Sequence, residues 1–422
     1  MKPIAVFLAI LLTSILQAQT PPSAVSKGFV PVAATRIDQL IQQYVDNQWI
    51  AGATAIVMKD GQIVYHKAFG SSNLASKEKM RTDHIFRIAS QTKAITSAAA
   101  MILLEEGKLL LDEPVEKYIP AFSRVAVLNK FNPADSSFTT SPVKGKITIR
   151  HLLTHTSGIG YAQIGSESYT AMAAKAGVFA QIGVPNESLE DQVNKIAALP
   201  LEHQPGEKWT YGLNSDVLGR LVEVVSKQSL ADFMRTRIFE PLGMKDTWFY
   251  LPADKQKRLV ALHGEDSLQK VTTLKKELAF GGTTMQINYP TARGKLYSGG
   301  GGLVSTAYDY ALFMQMMLNK GTLNGKRILS PNSVKLMTSN HIGHLKTGYT
   351  SFGLGFGITT EKESLKLGVS AGSFDWGGAF SSSYWIDPEK KIVAQLFINQ
   401  WPNSHGEIHE KFKVLVNSAL ED

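Results

Sequence analysis

Ser90 stands three residues ahead of Lys93 in the stretch FRIASQTKAITSAAAMILLEEG. A serine hydroxyl attacks a carbonyl well only when a neighbour takes its proton, and residues three apart on a helix share a face, so the amine lies beside the oxygen. Ser, any two residues and then Lys occur four times in this chain, so the pattern alone decides little. Ser76 with Lys79 lies in a polar run, Ser141 with Lys144 is accompanied by Pro142 and Gly145, and Ser267 with Lys270 sits among charges. Only Ser90 opens a long apolar segment, in which Ala94, Ile95, Ala98, Ala99, Met101, Ile102 and Leu103 keep helical spacing as far as Gly107. Burial there is expected to push Lys93 towards its neutral form, and the helix N-terminus would favour negative charge developing at Ser90. The bland alternative is a Ser90 that only caps the helix beside a solvated Lys93. The chemistry implied is nucleophilic hydrolysis through an acyl-serine.

Such a pair needs a scaffold, and 422 residues exceed one comfortable core, so two lobes are expected. Apolar residues at 44% and charged ones at 19% exclude a largely disordered chain. The net charge of +8 is interspersed, as in KEK and PEKK, which argues against a nucleic-acid partner. Residues 1–19 carry one lysine and then an apolar run from Ile4 to Leu16, shorter than the roughly 20 residues of a membrane span, and read as a cleaved signal peptide. With no cysteine there is no lipid-attachment thiol, disulfide framework or thiol chemistry. A periplasmic or secreted protein without a stable membrane anchor is expected.

Residues 20–35 are rich in Pro, Ser and Ala and read as a linker before an amphipathic helix over residues 37–47. Two β-rich runs around Asp60 and Gly61 signal a hairpin. Helical patterns dominate residues 88–285, and strand patterns return in FGLGFGITT, DWGGAFSSSYWIDP and KIVAQLFINQ. Four glycines at residues 299–302 precede a helix over 305–318, and a last helix spans 407–419. The expected fold is α+β: an antiparallel sheet lobe from residues 36–87 and 286–422, flanked by N- and C-terminal helices, with a mostly helical lobe of residues 88–285 inserted.

Four segments in this order resemble the serine β-lactamase and penicillin-binding superfamily, in its class C-like branch that also holds family VIII carboxylesterases. They are FRIASQTKAIT, ITIRHLLTHTSGIG, PGEKWTYGLNSDVLG and GGGGLVSTAYDYALFM. The resemblance runs from about residue 37 to the C-terminus and implies a β-lactamase/transpeptidase-like fold. It also implies that Tyr211 is a second catalytic group, shuttling protons between nucleophile and leaving group. The usual Tyr, any residue, Asn is replaced here by Tyr211, Gly212, Leu213, Asn214, so the amide contact to substrate is missing or displaced to Asn214. For the third family element, Lys346, Thr347 and Gly348 match literally but precede the segment that resembles the neighbouring strand. Trp376, Gly377, Gly378 and Ala379 fit its place instead, as the Trp-Gly-Gly of family VIII esterases. By that resemblance the amides of Ser90 and Ala379 hold the oxyanion, and Trp376, Gly377 and Gly378 bind substrate. An apolar Trp376 where a cation would hold a carboxylate favours neutral esters over β-lactams or peptide C-termini.

Other signals compete. Gly368, Ser370 and Gly372 spell GxSxG, followed by Asp387 and His405 in the order of an α/β-hydrolase triad, but no helix follows Ser370 as a nucleophile elbow requires. His151 and His155 are four apart, as metal ligands can be, yet no carboxylate accompanies them, so structural histidines are expected. His203, Trp209, Tyr250 and Trp385 either line the cleft or pack the lobes. The combined expectation is an exported serine hydrolase acting on a small-molecule ester, amide or lactam, with carboxylesterase favoured over β-lactamase or D-amino-acid peptidase. A non-catalytic binder of cell-wall fragments is the alternative of a different class. No cofactor, metal, nucleic acid or partner protein is implied.

Overall fold

Asp60 and Gly61 both take positive φ, 50° and 78°, which closes a tight hairpin between β1 (Gly52–Lys59) and β2 (Gln62–Asn73). The computed structural model describes residues 28–178, 182, 186–274, 277–280, 283–345, 347 and 351–420. The proposed signal peptide, the first part of the linker, Lys346 and Gly348 lie outside the described residues. A short β3 (Glu78–Lys79) extends the hairpin, and five late strands join it: β4 (Ser351–Phe352), β5 (Gly357–Ile358), β6 (Phe374–Gly378), β7 (Ser382–Asp387) and β8 (Ile392–Phe397). They form one eight-stranded antiparallel sheet in the order β4-β5-β6-β7-β8-β1-β2-β3. Its early and late strands meet where β1 pairs with β8, Thr54 opposite Phe397 and Lys59 opposite Ile392.

Both faces of the central strands are apolar, and the period of two sorts their side chains into two cores. Ala53, Ala55 and Val57, with Trp385, Ala394 and Leu396, pack beneath two helices, α1 (Pro31–Asp46) and a C-terminal helix (Ile408–Ser418). Ile56 and Met58, with Tyr384, Ile386, Val393 and Phe397, face the larger core instead. That core contains α2 (Thr92–Glu105), α3 (Asn214–Ser226) and α4 (Ala307–Leu318). Helix α1 begins within the expected linker, because Pro31 at the first turn has its φ preset and no N–H to satisfy.

Short strands Phe86–Arg87 and Val304–Ser305 pair antiparallel where the chain leaves the sheet and returns. Between them the structure is less uniformly helical than the sequence pattern suggests. Ala126–Asn132 and Ser137–Pro142 form a hairpin whose turn is built by side chains: Asn132 accepts from the Ala134 N–H and Asp135 from the Ser137 N–H. In ITIRHLLTHTSGIG the helix covers only Ile149–Leu153, and positive φ at His155 (55°) and Gly158 (88°) turns the chain away. No helix among the described residues is long and apolar enough to cross a membrane.

Candidate active site

Ser90 lies in a single 3₁₀ turn, Ala89–Gln91, that feeds directly into α2. Ala89 is held at φ +44°, a left-handed conformation uncommon for a residue with a Cβ, and it turns the chain at the residue just before Ser90. Ser90 is half-buried, whereas Lys93, one turn on, is 2% exposed. The Lys93 ammonium donates to Ser90 Oγ at 3.1 Å and to the Gly300 carbonyl at 2.6 Å. From a distant segment of the chain, the Tyr211 hydroxyl donates to the same Ser90 Oγ at 2.7 Å. Lys93, one turn on, and Tyr211, 121 residues on, therefore meet at one oxygen. The other three Ser-x-x-Lys sets lie in turns or a strand, outside helices.

Tyr211 is delivered there by a backbone crossing that accepts no side chain. A Cβ on Gly212 would sit 1.9 Å from the Ile159 carbonyl, so the residue after Tyr211 has to be glycine. The chain then enters α3, whose Asn214 is fully buried. Its Oδ1 accepts from Ser157 Oγ and its Nδ2 donates to His155 Nδ1 at 3.1 Å. Both ends of the amide are occupied inside the lobe, so the expectation that Asn214 binds substrate is corrected: it braces the loop carrying Tyr211.

One turn into α3, Asp216 is 1% exposed and accepts from Ser298 Oγ at 2.7 Å and from the Gly300 N–H at 3.1 Å. A Cβ on Gly300 would lie 2.4 Å from the Asp216 carboxylate, which explains a glycine at that position. Burial raises the Asp216 carboxyl above its usual range, with the Ser298 hydrogen bond and the Lys93 charge opposing. Lys93 behaves in the opposite sense to the sequence expectation. Burial works against its charge, but Tyr161, Tyr211 and Asp216 outweigh burial and hold the ammonium above the ordinary lysine range. Tyr161 stacks on Tyr211 with ring centroids 5.4 Å apart, and burial pushes its hydroxyl up to about 12. Gly300 belongs to the glycine run visible in the sequence, whereas nothing in the sequence pattern marks Asp216 or Tyr161 as part of the site.

The sheet supplies the opposite wall. Trp376, Gly377 and Gly378 lie on β6 and Ala379 just beyond it, all half-buried. A Cβ on Gly378 would stand 2.4 Å from the Ile88 carbonyl, so glycine lets β6 run against the turn that carries Ser90. Ala379 packs in the same small apolar cluster as Ala89, next to the nucleophile. The Trp376 ring lies 5.5 Å from Tyr211 and 5.3 Å from Phe352, and Trp209 stacks 6.1 Å from Tyr211, which makes an aromatic wall. Tyr250 and Trp385 are not part of it: Tyr250 donates to the Leu296 carbonyl at 2.9 Å and Trp385 packs on Phe412 in the outer core. His203 is buried, its ring bonded to Thr210 and the Gln204 carbonyl.

The competing motifs are structural. His151 Nδ1 accepts from the Thr148 N–H at the start of its helix, while His155 is buried beside Asn214 and kept neutral by burial and by Lys93. No cluster of three metal-binding side chains occurs among the described residues.

A family model described as Beta-lactamase matches residues 37–417. The chain belongs to this family. Protein Rv1367c of Mycobacterium tuberculosis is 31% identical over 376 residues, which cover 86% of this chain and 89% of that one. Esterase EstB of Burkholderia gladioli is 29% identical over 394 residues, 90% of this chain and 94% of its own. Among solved structures, EstCE1, described as a hydrolase with promiscuous acyltransferase activity, superimposes with a TM-score of 0.79 at 24% identity, over 91% of this chain and 98% of its own. The fold is thus β-lactamase/transpeptidase-like, and the protein is a serine hydrolase in the esterase-containing branch of the superfamily.

Proposed function

We propose that the protein is a carboxylesterase that cleaves small neutral esters through an acyl-enzyme on Ser90. The observation that carries this reading is the 2.7 Å contact of the Tyr211 hydroxyl with Ser90 Oγ, alongside the 3.1 Å contact of Lys93. Lys93 is held as the ammonium and has no lone pair to offer, so the reactive form has Tyr211 as the phenolate, its own proton already lost, and that oxygen takes the Ser90 proton as Oγ bonds to the substrate carbonyl carbon. Lys93 stabilises negative charge on that phenolic oxygen. The amides of Ser90 and Ala379 receive the tetrahedral oxyanion. Tyr211 then returns the proton to the leaving alkoxide oxygen, the carbon–oxygen bond breaks, and water repeats the cycle to release the acid and free Ser90.

Neutral esters are favoured because Trp376 offers an apolar face where recognition of a carboxylate needs a cation. The similarity to an enzyme named as an esterase supports the same choice. Turnover of p-nitrophenyl butyrate, set against a chromogenic cephalosporin, tests it: a higher kcat/KM on the ester supports the reading, and a clear preference for the cephalosporin replaces it with a β-lactamase or D-amino-acid peptidase. Lack of any turnover together with tight binding of cell-wall fragments would favour a binder. Export is part of the proposal, supported by the lysine and short apolar run of residues 1–19. A mature N-terminus near residue 20, determined on protein from the periplasmic or culture fraction, is the expected result.

A further inference from the structure

Away from Ser90, a cavity of about 510 Å³ opens between Arg235–Phe239 and the aromatic side chains of Trp248, Phe249, Tyr250 and Tyr297. Its size falls in the range of about 300 to 1,000 Å³ typical of small-molecule sites. Arg235–Phe239 is a π-helix, a rare distortion that is frequent at functional sites. Pro241 lies just beyond it and lacks the N–H that a regular helix would direct to the Arg237 carbonyl. Five aromatic side chains line it, counting Phe239, and the charged lining residues sit at the exposed rim: Arg235 is neutralised by Asp232 at 3.2 Å and Glu240 at 2.5 Å, and Lys245 is exposed. Flat aromatic walls with the charges confined to the exposed rim match an uncharged aromatic molecule rather than an ion.

One wall is continuous with the Ser90 site. Tyr297 packs edge-on against Phe249, with centroids 5.4 Å apart, and directly precedes Ser298. Ser298 and Gly300 donate to Asp216, and the Gly300 carbonyl receives the Lys93 ammonium at 2.6 Å. A ligand that shifts the Tyr297 ring therefore acts within three residues on the carbonyl that positions Lys93.

We propose that this cavity is a second binding site, for an uncharged aromatic small molecule, and that occupying it changes turnover at Ser90. The coupling rests on Ser90 being the nucleophile; the binding does not. The test is a fluorescence titration of the full-length protein with N-phenyl-1-naphthylamine, before and after Ser90 is blocked with a fluorophosphonate. Saturable one-to-one binding that survives the block is expected. The half-exposed Ala231 lines the cavity, so Ala231→Phe should weaken binding by about tenfold and Ala231→Leu by less, with melting temperature unchanged. Probe at saturation should change kcat/KM on p-nitrophenyl butyrate by about fivefold. No saturable binding, binding lost on blocking Ser90, or full affinity in both folded Ala231 variants overturns the site. Binding with unaltered turnover overturns the coupling. Absence of esterase turnover removes the coupling together with the reading beneath it, while the titration still decides the site.

Discussion

Ser90 and Ser370 each sit in a stretch that spells a hydrolase motif, yet their surroundings differ in kind. Around Ser370 the contacts are those of a loop: its N–H donates to Asp387 at 3.0 Å, and the other Asp387 oxygen takes the Lys390 N–H at 2.9 Å. Gly372, at φ +82°, then leads into β6 rather than into a helix. His405 stacks on Trp49 with centroids 4.4 Å apart and bonds to the Gln269 carbonyl, while Asp387 is held by backbone amides. Ser90 has an ammonium and a phenol on the same oxygen, an aromatic wall beside it and a partly open face. A nucleophile is thus completed by a partner that arrives from a distant element, Tyr211, and local spelling only nominates it.

The comparison breaks most easily at the two serines themselves. Ser90→Ala should lower kcat/KM on p-nitrophenyl butyrate by about a thousandfold or more, while Ser370→Ala leaves it within about twofold. The reverse pattern in folded variants would exchange their roles. Next in size, Tyr211→Phe keeps the ring packing but removes the oxygen that takes the proton, and should lower kcat by about a hundredfold to ten-thousandfold with little change in KM. Asp216→Asn sharpens the picture further. It keeps the shape beside Ser298 and Gly300 but removes a charge that favours the Lys93 ammonium, so kcat should fall by about ten- to a hundredfold at unchanged melting temperature.

The smallest effect contrasts Asp216 with Asp309, a buried carboxyl in α4 that accepts from the Asp246 N–H and from Thr247, far in role from the reacting groups. Burial pushes Asp309 up to about 6 from the ordinary 3.8. The folded state therefore binds this proton more tightly than the unfolded chain, so the group's contribution is fully present below pH 3.8 and is lost as pH rises through about 6. Asp309→Asn should gain about 3 kcal/mol at most over the native protein between pH 4 and pH 7, measured by denaturant unfolding at both ends, with esterase kcat/KM unaffected.

The parts of the site that are written locally are legible in the sequence. Ser90 and Lys93 share one helical turn ahead of an apolar run, and the strands on either side of Asp60 and Gly61 carry their own turn residues. Tyr211 and the Trp376 segment were reached through ordered resemblance rather than spacing. What stayed hidden depends on tertiary burial. The charge on Lys93 is set by Tyr161, Tyr211 and Asp216, which lie tens of residues away, so desolvation judged alone gave the wrong sign. Asn214 looked like a displaced substrate contact because nothing in the chain announces that Ser157 and His155 take both ends of its amide. The hairpin at Ala126–Asn132 was masked by the helical patterns around it, although Asn132 and Asp135 carried the turn chemistry.

The most direct test of the central claim is to trap the covalent intermediate and locate it. The protein is treated with a fluorophosphonate, digested and mapped by mass spectrometry. One adduct per chain, on the peptide that contains Ser90 and absent in Ser90→Ala, is the predicted result. An adduct on Ser370, or none on a folded protein that still hydrolyses esters, would contradict it.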